Sequence, residues 1–365
     1  MLIDDISVFH VSMPLKEPWK TSFSVETAID TVLVRLRSGD VEGWGEAAPY
    51  AVPQFCPEWA AGAFILIRDV FAPQVKGREI GSGAQLQALL ASFKGNNFAK
   101  AAIDTAWWDL AARLENRPLW QMIGGTMPEV AVGADIPVQE CAAALHEGVR
   151  RAFEAGFSRT KLKFRPDSGV KMVAVIREAF PDMPLHIDCN SGFTLDDIEL
   201  FRELDDLGLV MIEQPLGWQD LIDHAKLQGE LETPICLDET LTSLEIVRQA
   251  VETGATRWVN IKHGRVGGLT QAIEIQRYCV KAGVPCWVGG MLESNVGQGV
   301  SLAIATLPGM AYAADIFPAG RLYTQDLANP DITLGAPGTI TAPGRPGHGF
   351  APDPDRLAAC TVSAA

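Results

Sequence analysis

No CxxC pair occurs among the seven cysteines of this 365-residue chain, no GxGxxG follows an early strand, and no apolar run escapes a charge or proline long enough to span a membrane. The odd cysteine count without paired spacing argues against a zinc knuckle or a disulfide framework. It fits reduced thiols packed as small apolar groups. The missing glycine fingerprint weighs against a doubly wound dinucleotide-binding sheet. The opening MLIDDISVFHVSMPL carries acids early and no basic region before an apolar stretch, so no secretory signal is expected, and the expected setting is the cytoplasm. Positive charge is scarce as well. Thirty Lys and Arg against 45 Asp and Glu leave a formal net charge of −15, which repels phosphate backbones. Neither nucleic acid nor membrane is expected as a partner. A small anionic substrate stays open, because a metal and a few lysines reverse the field within one pocket.

What is present is ordinary globular material, 47% hydrophobic and 21% charged, in enough length for a large α/β unit with an accessory domain. Residues 1–50 alternate apolar and polar positions, with breaks at Pro14, Pro18 and Ser38-Gly39-Asp40, the pattern of a β-meander. Alanine-rich segments of helical period follow, clearest over 101–113, until Gly124-Gly125 stops them. From about residue 130 short β-branched runs alternate with amphipathic stretches. Strands are expected at 130–138, 160–164, 185–189, 210–213, 235–238, 258–261, 286–288 and 311–315. Eight strands separated by helices suggest a closed parallel barrel. The expected division is an α+β unit over 1–125, the barrel over 126–319, and a Gly/Pro-rich segment over 320–365 that returns to cover the first unit.

Asp188, Glu213 and Asp238 each end an expected strand, 25 residues apart. Strand C-termini of a parallel barrel face its mouth, so the three carboxylates converge there. Each alone reads as an ordinary helix N-cap. Together they would repel one another unless a hard cation sits between them, and oxygen donors in this number suit Mg²⁺, with Mn²⁺ able to substitute. Asn190, Gln214 and Glu239 follow the three acids as supporting or substrate-side groups. Lys161 and Lys163 point to one face of the second strand, and Lys262 ends the sixth, across the ring. The two lysine sites would flank a substrate from opposite faces. A like charge, a nearby metal and partial burial each push an amine toward the neutral form that a base needs. The metal would bind a substrate carboxylate and stabilise the enediolate left by proton loss.

These residues resemble the enolase superfamily in its muconate-lactonizing subgroup. The likeness runs through Gly43-Trp44-Gly45-Glu46, Trp107-Trp108-Asp109-Leu110, Leu119-Trp120-Gln121-Met122-Ile123-Gly124-Gly125, the KxK pair, the three acids and Lys262. It implies a modified (β/α)₇β barrel capped by an α+β domain built from the N-terminal third and the C-terminal tail, with Mg²⁺ on Asp188, Glu213 and Asp238. It also implies a small carboxylate substrate, and a homo-oligomer is expected. Pro18-Trp19-Lys20-Thr21-Ser22-Phe23, Gly264-Arg265-Val266-Gly267-Gly268, Gly289-Gly290-Met291-Leu292-Glu293-Ser294 and Tyr323-Thr324-Gln325-Asp326-Leu327 are similar to the o-succinylbenzoate synthase and N-succinylamino acid racemase branch. Ala314-Asp315-Ile316-Phe317 lacks the DxD of dipeptide epimerases, and His263 departs from the small or proline residue of the pattern.

The resemblance implies two chemistries on one constellation. In syn dehydration Lys163 takes a proton and returns it to the departing hydroxyl while Lys262 stays a cation. In racemisation both lysines act as bases. Expected substrate contacts are Trp19, Lys20 and Phe23 in an early lid, Tyr50 in a second loop, and Gly290, Met291, Leu292 and Ser294 after the seventh strand. Trp19 and Phe23 read equally well as packing at the domain seam. Other readings are a cycloisomerase or an epimerase of the subgroup, a phosphate-sugar enzyme cradling phosphate on Gly289-Gly290, and a non-catalytic binding barrel.

Overall fold

The alternating residues of the N-terminus form three long antiparallel strands, Asp5–Lys20, Val25–Ser38 and Val41–Ala47. The structure, a computed structural model, describes residues 1–22 and 24–365; Phe23, expected in the lid, lies outside the described residues. A fourth strand, Thr361–Ala364, pairs antiparallel with the first (Phe9 opposite Ala364), so the chain's end closes the edge of the N-terminal sheet. The sheet buries Ile29 and Leu33 on one face and Leu36 on the other, all completely.

The alanine-rich segment forms the helix Asn97–Leu114, which lies directly on the sheet. Its small face and Gly43 and Gly45 explain each other. A Cβ on Gly45 would stand 2.2 Å from the Ala102 carbonyl oxygen, and one on Gly43 2.4 Å from the Leu110 nitrogen. At the helix start the Glu58 carboxylate accepts from the Phe98 and Ala99 backbone amides, the favourable end for a negative charge. Asp109, fully buried, accepts from the backbone amides of Trp44 and His348 and from Arg113. One carboxylate thus ties meander, helix and C-terminal segment together.

Seven parallel strands follow: Ala134–Ile136, Thr160–Lys163, Leu185–Asp188, Ile212–Glu213, Ile235–Leu237, Trp258–Ile261 and Cys286–Val288, paired in sequence order. Helices connect them, as parallel pairing requires. Residues 310–315 close the ring without forming a regular strand. The Ala311 and Asp315 amides donate to Cys286 and Val288, and the Ala314 amide to Ala131. The expected strand 130–138 is divided in two. Glu129–Ala131 turns away to pair antiparallel with Thr339–Thr341, and only Ala134–Ile136 joins the barrel. Gly133 lies between them and packs against the Arg159 side chain, leaving no room for a Cβ. Among the described residues no helix is long and apolar enough to cross a membrane, and all seven cysteines are free thiols.

Glu46, at the end of the third meander strand, reaches across to the barrel. It accepts from the Ser294 hydroxyl (2.6 Å) and from the Ser294 and Gly297 amides, at the start of the helix Asn295–Ala305. Burial pushes its carboxyl up to about 7.

Two outcomes follow from this packing. Gly45→Ala forces the helix off the sheet and lowers stability by about 1–3 kcal/mol, read as a fall in the urea midpoint. The raised Glu46 value means that the folded chain holds a proton the unfolded chain has released. Its stabilisation is complete below the ordinary value of 4.5 and lost as pH rises through about 7. Glu46→Gln should therefore flatten that part of the stability–pH curve; an unchanged slope between pH 4.5 and 7 contradicts it.

Candidate active site at the barrel mouth

Strand register places the charged residues in layers. Asp135, Lys161 and His186 are neighbours across the first three barrel strands, and Lys163, Asp188 and Glu213 form the layer above. Period-two alternation turns both layers inward. Below them Trp287 and Tyr312 pack edge to face and close the floor, with Arg159 over both rings.

Asp188, Glu213 and Asp238 are all at most 1% exposed at the strand ends. Each has its own partner. Lys163 donates to Asp188 at 2.6 Å and Lys262 to Asp238 at 2.7 Å, while Arg265 pairs with the other Asp238 oxygen. Asn260 donates to Glu213 Oε1 at 2.8 Å. Glu213 Oε2 accepts no hydrogen bond among the described residues, with His186 Nε2 3.3 Å and Lys161 Nζ 3.5 Å away. Burial drives His186 well down, so its ring is neutral. Burial also opposes the Lys161 ammonium, yet Asp135, Glu213 and Asp188 outweigh it and hold that lysine upward. The sequence argument used Lys161 as the like charge beside Lys163, and the surrounding carboxylates keep Lys161 charged. Lys161, which also lines the small cavity at the mouth, is bonded to Asp315 at 2.6 Å and paired with Asp135 at 3.0 Å.

The supporting residues divide by role. Asn190 bridges Lys163 (3.1 Å) and Glu239 (3.2 Å). Gln214 accepts from the Asp238 and Thr240 amides and so fixes the loop behind Asp238. Glu239, buried, is pushed well up by desolvation and by Asp238 and Asp188, and its Oε2 lacks a partner. Burial pulls Asp238 the other way on balance less than Lys262 and Arg265 do, and it falls to about 2.

The two lysine sites meet in one small cavity of about 20 Å³, scarcely more than a water needs. Lys163 and Lys262 line it with Lys161, Asp135 and Asn190; Trp19, Tyr50, Phe55, Leu292 and Phe317 cover it. Lys262 Nζ lies 4.7 Å from the Phe55 ring centre and 3.6 Å from the Met291 sulfur. Gly290 lines the cavity, and the Asp315 carbonyl stands where its Cβ would be. That is close packing, and the same holds for Gly289 against Asn260, so the pair forms no open phosphate cradle. Among the described residues, five of the seven non-glycine residues with positive φ lie in or next to this lining: Tyr50, Asn190, Ser191, Gln214 and Leu292. Such strain concentrates where a site over-determines its backbone.

Two expected contacts lie elsewhere. Lys20 faces solvent and reaches Glu140 at 3.3 Å. Ser294 caps the helix Asn295–Ala305 and is taken up by Glu46. His263 is buried against Ser301, pushed down to about 4 by burial and His348, a packed neutral ring. Sequence reasoning missed Asp135, Arg159 and the ionic role of Arg265. Arg159 pairs with both Asp135 and Asp315 beneath the site. Inward phase on an expected strand was the available signal for Asp135; a charged residue opening a barrel strand was the one for Arg159.

Among the described residues no three histidine, cysteine or carboxylate groups stand together ready to ligate a metal, since ammonium groups separate them. The donor set nevertheless fits a hard cation. Six carboxylates (Asp135, Asp188, Glu213, Asp238, Glu239, Asp315) face five cationic side chains (Arg159, Lys161, Lys163, Lys262, Arg265), and two of the carboxylates each keep a buried, unpartnered oxygen.

Comparison with known proteins agrees along the whole chain. Residues 3–124 match the family described as mandelate racemase / muconate lactonizing enzyme, N-terminal domain, and residues 144–356 match enolase C-terminal domain-like. An N-succinylamino acid racemase of Thermus thermophilus is 41% identical over 90% of this chain and 89% of its own length. An o-succinylbenzoate synthase of Geobacillus kaustophilus is 39% identical over 97% and 94%. A solved enolase superfamily member from Listeria innocua superposes with a TM-score of 0.96 at 34% identity, covering 100% of this chain and 98% of that one.

Arg159→Met leaves Asp135 and Asp315 sharing one lysine in the barrel interior. A loss of about 3–5 kcal/mol is expected in urea unfolding, because an uncompensated buried charge remains.

Proposed function

The chain belongs to the enolase superfamily, and from that premise we propose that it removes the α-proton of a small carboxylate in a Mg²⁺-dependent reaction, most directly the syn dehydration of an o-succinylbenzoate synthase. The observation that carries the reading is the pair Lys163 and Lys262, each bonded to a different strand-end carboxylate and both lining one cavity. Asp188, Glu213 and Asp238 would hold the Mg²⁺, whose charge, when bound, offsets the negative charge that the substrate carboxylate gains as the α-proton leaves.

Lys163, as the amine, takes the α-proton and delivers it to the departing hydroxyl on the same face, so water leaves and a double bond forms. Lys262 remains an ammonium on the opposite wall and balances the negative charge that develops between the two lysines. Asn190 holds Lys163 in line, and Arg265 and Lys262 share Asp238 so that neither is left without a counter-charge. The aromatic cover of Trp19, Tyr50 and Phe55 excludes water while charge develops. N-succinylamino acid racemisation is a second reading, supported by the 41% identity to the Thermus racemase. There Lys163 and Lys262 exchange roles, one removing the proton and the other replacing it from the far face.

The direct test offers the hydroxylated cyclohexadiene carboxylate that a synthase of this kind would dehydrate, and follows loss of its ultraviolet absorbance with Mg²⁺ and with chelator. Metal-dependent loss is expected, and Lys163→Ala should lower the rate by about 10²–10⁴-fold. A folded, metal-loaded enzyme without turnover overturns the synthase reading. For N-succinyl amino acids in deuterated water, racemisation should stop with either Lys163→Ala or Lys262→Ala. Lys262→Ala should still permit deuterium exchange of the enantiomer that Lys163 serves; equal loss of exchange in both enantiomers contradicts the two-sided assignment.

A further inference from the structure

The cavity that holds Lys163 and Lys262 is charged on its barrel side and neutral at its cover. Its cations, Lys161, Lys163 and Lys262, are each bonded to barrel carboxylates. The cover is lined by Trp19, Thr21, Tyr50, Phe55, Leu292 and Phe317, none of them charged. Lys20, the cation expected to meet a distal carboxylate, reaches Glu140 instead. Only two of the covering side chains carry a hydroxyl. That of Thr21 is bound to Ser24. That of Tyr50 makes no hydrogen bond among the described residues, although the side chain is 8% exposed and a buried phenol ordinarily finds a partner. Nor is its oxygen one of the sealed, unpartnered atoms of the interior, so it opens onto accessible space.

Burial pushes the Tyr50 phenol up, so it stays protonated and is a neutral donor. Glu26 on the meander and Glu293, Asp238 and Lys161 at the barrel mouth all act on it through space, which places it between cap and barrel. The backbone is committed to that placement. Tyr50 has a φ of 73°, the Ala60 amide at the start of the helix Ala60–Leu66 donates to its carbonyl at 2.9 Å, and the Phe55 ring packs edge to face against it at 6.4 Å. A bulky residue at positive φ is costly and persists where its surroundings hold it. Phenylalanine would cover the cavity equally well, so shielding from water does not account for the hydroxyl.

We propose that Tyr50 is a specificity residue whose hydroxyl donates to an uncharged carbonyl oxygen of the substrate, the ketone of a succinyl-bearing ring acid or the amide of an N-acylamino acid. A lone neutral donor in an uncharged cover suits a ketone or amide oxygen, whereas a carboxylate there calls for a cation. The identity of that carbonyl rests on the proposed function; the open donor in the cover does not. The bond is remote from the proton being moved and is made equally in the bound substrate and the transition state. Its loss therefore raises KM and spares kcat.

The experiment is calorimetric titration of the Mg²⁺-loaded protein with o-succinylbenzoate and with its analogue that carries a methylene in place of the ketone. The wild type should bind the ketone at least about tenfold more tightly. Tyr50→Phe should weaken the ketone by about that factor and leave the methylene compound unchanged. The melting temperature should be retained, because the hydroxyl holds nothing in the free protein. Equal weakening of both compounds means that Tyr50 meets a carboxylate or only packs, and overturns the proposal. So does a preference for the ketone that survives Tyr50→Phe, or a wild type that binds neither compound. With a turned-over substrate, Tyr50→Phe should raise KM about tenfold with kcat within about twofold; a fall in kcat alone contradicts the assignment. Turnover with the ketone preference intact in Tyr50→Phe leaves the reaction standing and removes Tyr50. A preference lost in Tyr50→Phe, in a protein that turns nothing over, does the reverse.

Discussion

The interior of the barrel holds more ionised groups than an apolar core tolerates, and their mutual compensation governs the rest of the structure. Asp135, Asp188, Glu213, Asp238 and Asp315 have no affordable isolated state at this depth. Arg159 and Lys161 bind the lower acids from within the ring, Lys163 and Lys262 bind the upper ones at its rim, and Arg265 locks Asp238 from outside. The rim lysines Lys163 and Lys262 and the inner pair Lys161 and Asp135 line the same small cavity.

That arrangement needs a roof, which explains the cost invested in the domain seam. Glu46 from the meander occupies the start of the helix after the seventh barrel strand, and Asp104 from the capping helix accepts from the Thr270 amide and hydroxyl. Burial raises both acids, to about 7 and about 6. The cap therefore sits on the barrel through charged or near-neutral carboxyl groups at helix starts, where backbone amides lie free. Such contacts hold the meander at a fixed height, so that Trp19, Tyr50 and Phe55 reach the lysines.

Much of the site was legible because a parallel barrel converts linear spacing into convergence. Asp188, Glu213 and Asp238 share a phase on successive strands, and Lys161 and Lys163 share a face of one strand; neither inference needs coordinates. Where Lys20 and Ser294 would point was not legible, because sequence shows a residue's loop and not its direction. Lys20 turns out to solvent, and Ser294 faces a carboxylate 248 positions away in sequence. The divided first strand had the same origin: β-branched residues run through 130–138, but a pairing with Thr339–Thr341 draws off its first part.

The sequence by itself determined the alternation of strands and helices and the phase of the charged residues at the mouth, since these follow from short-range periodicity; the cap on the barrel was what the family resemblance implied. Tertiary structure alone decided which lysine sits deepest among the carboxylates and, among the described residues, which acids keep an open oxygen. Those properties depend on distances between chain segments far apart in sequence and on how deeply each is buried. An amino-acid order records that a charge is present; only the folded packing sets the groups it must share it with.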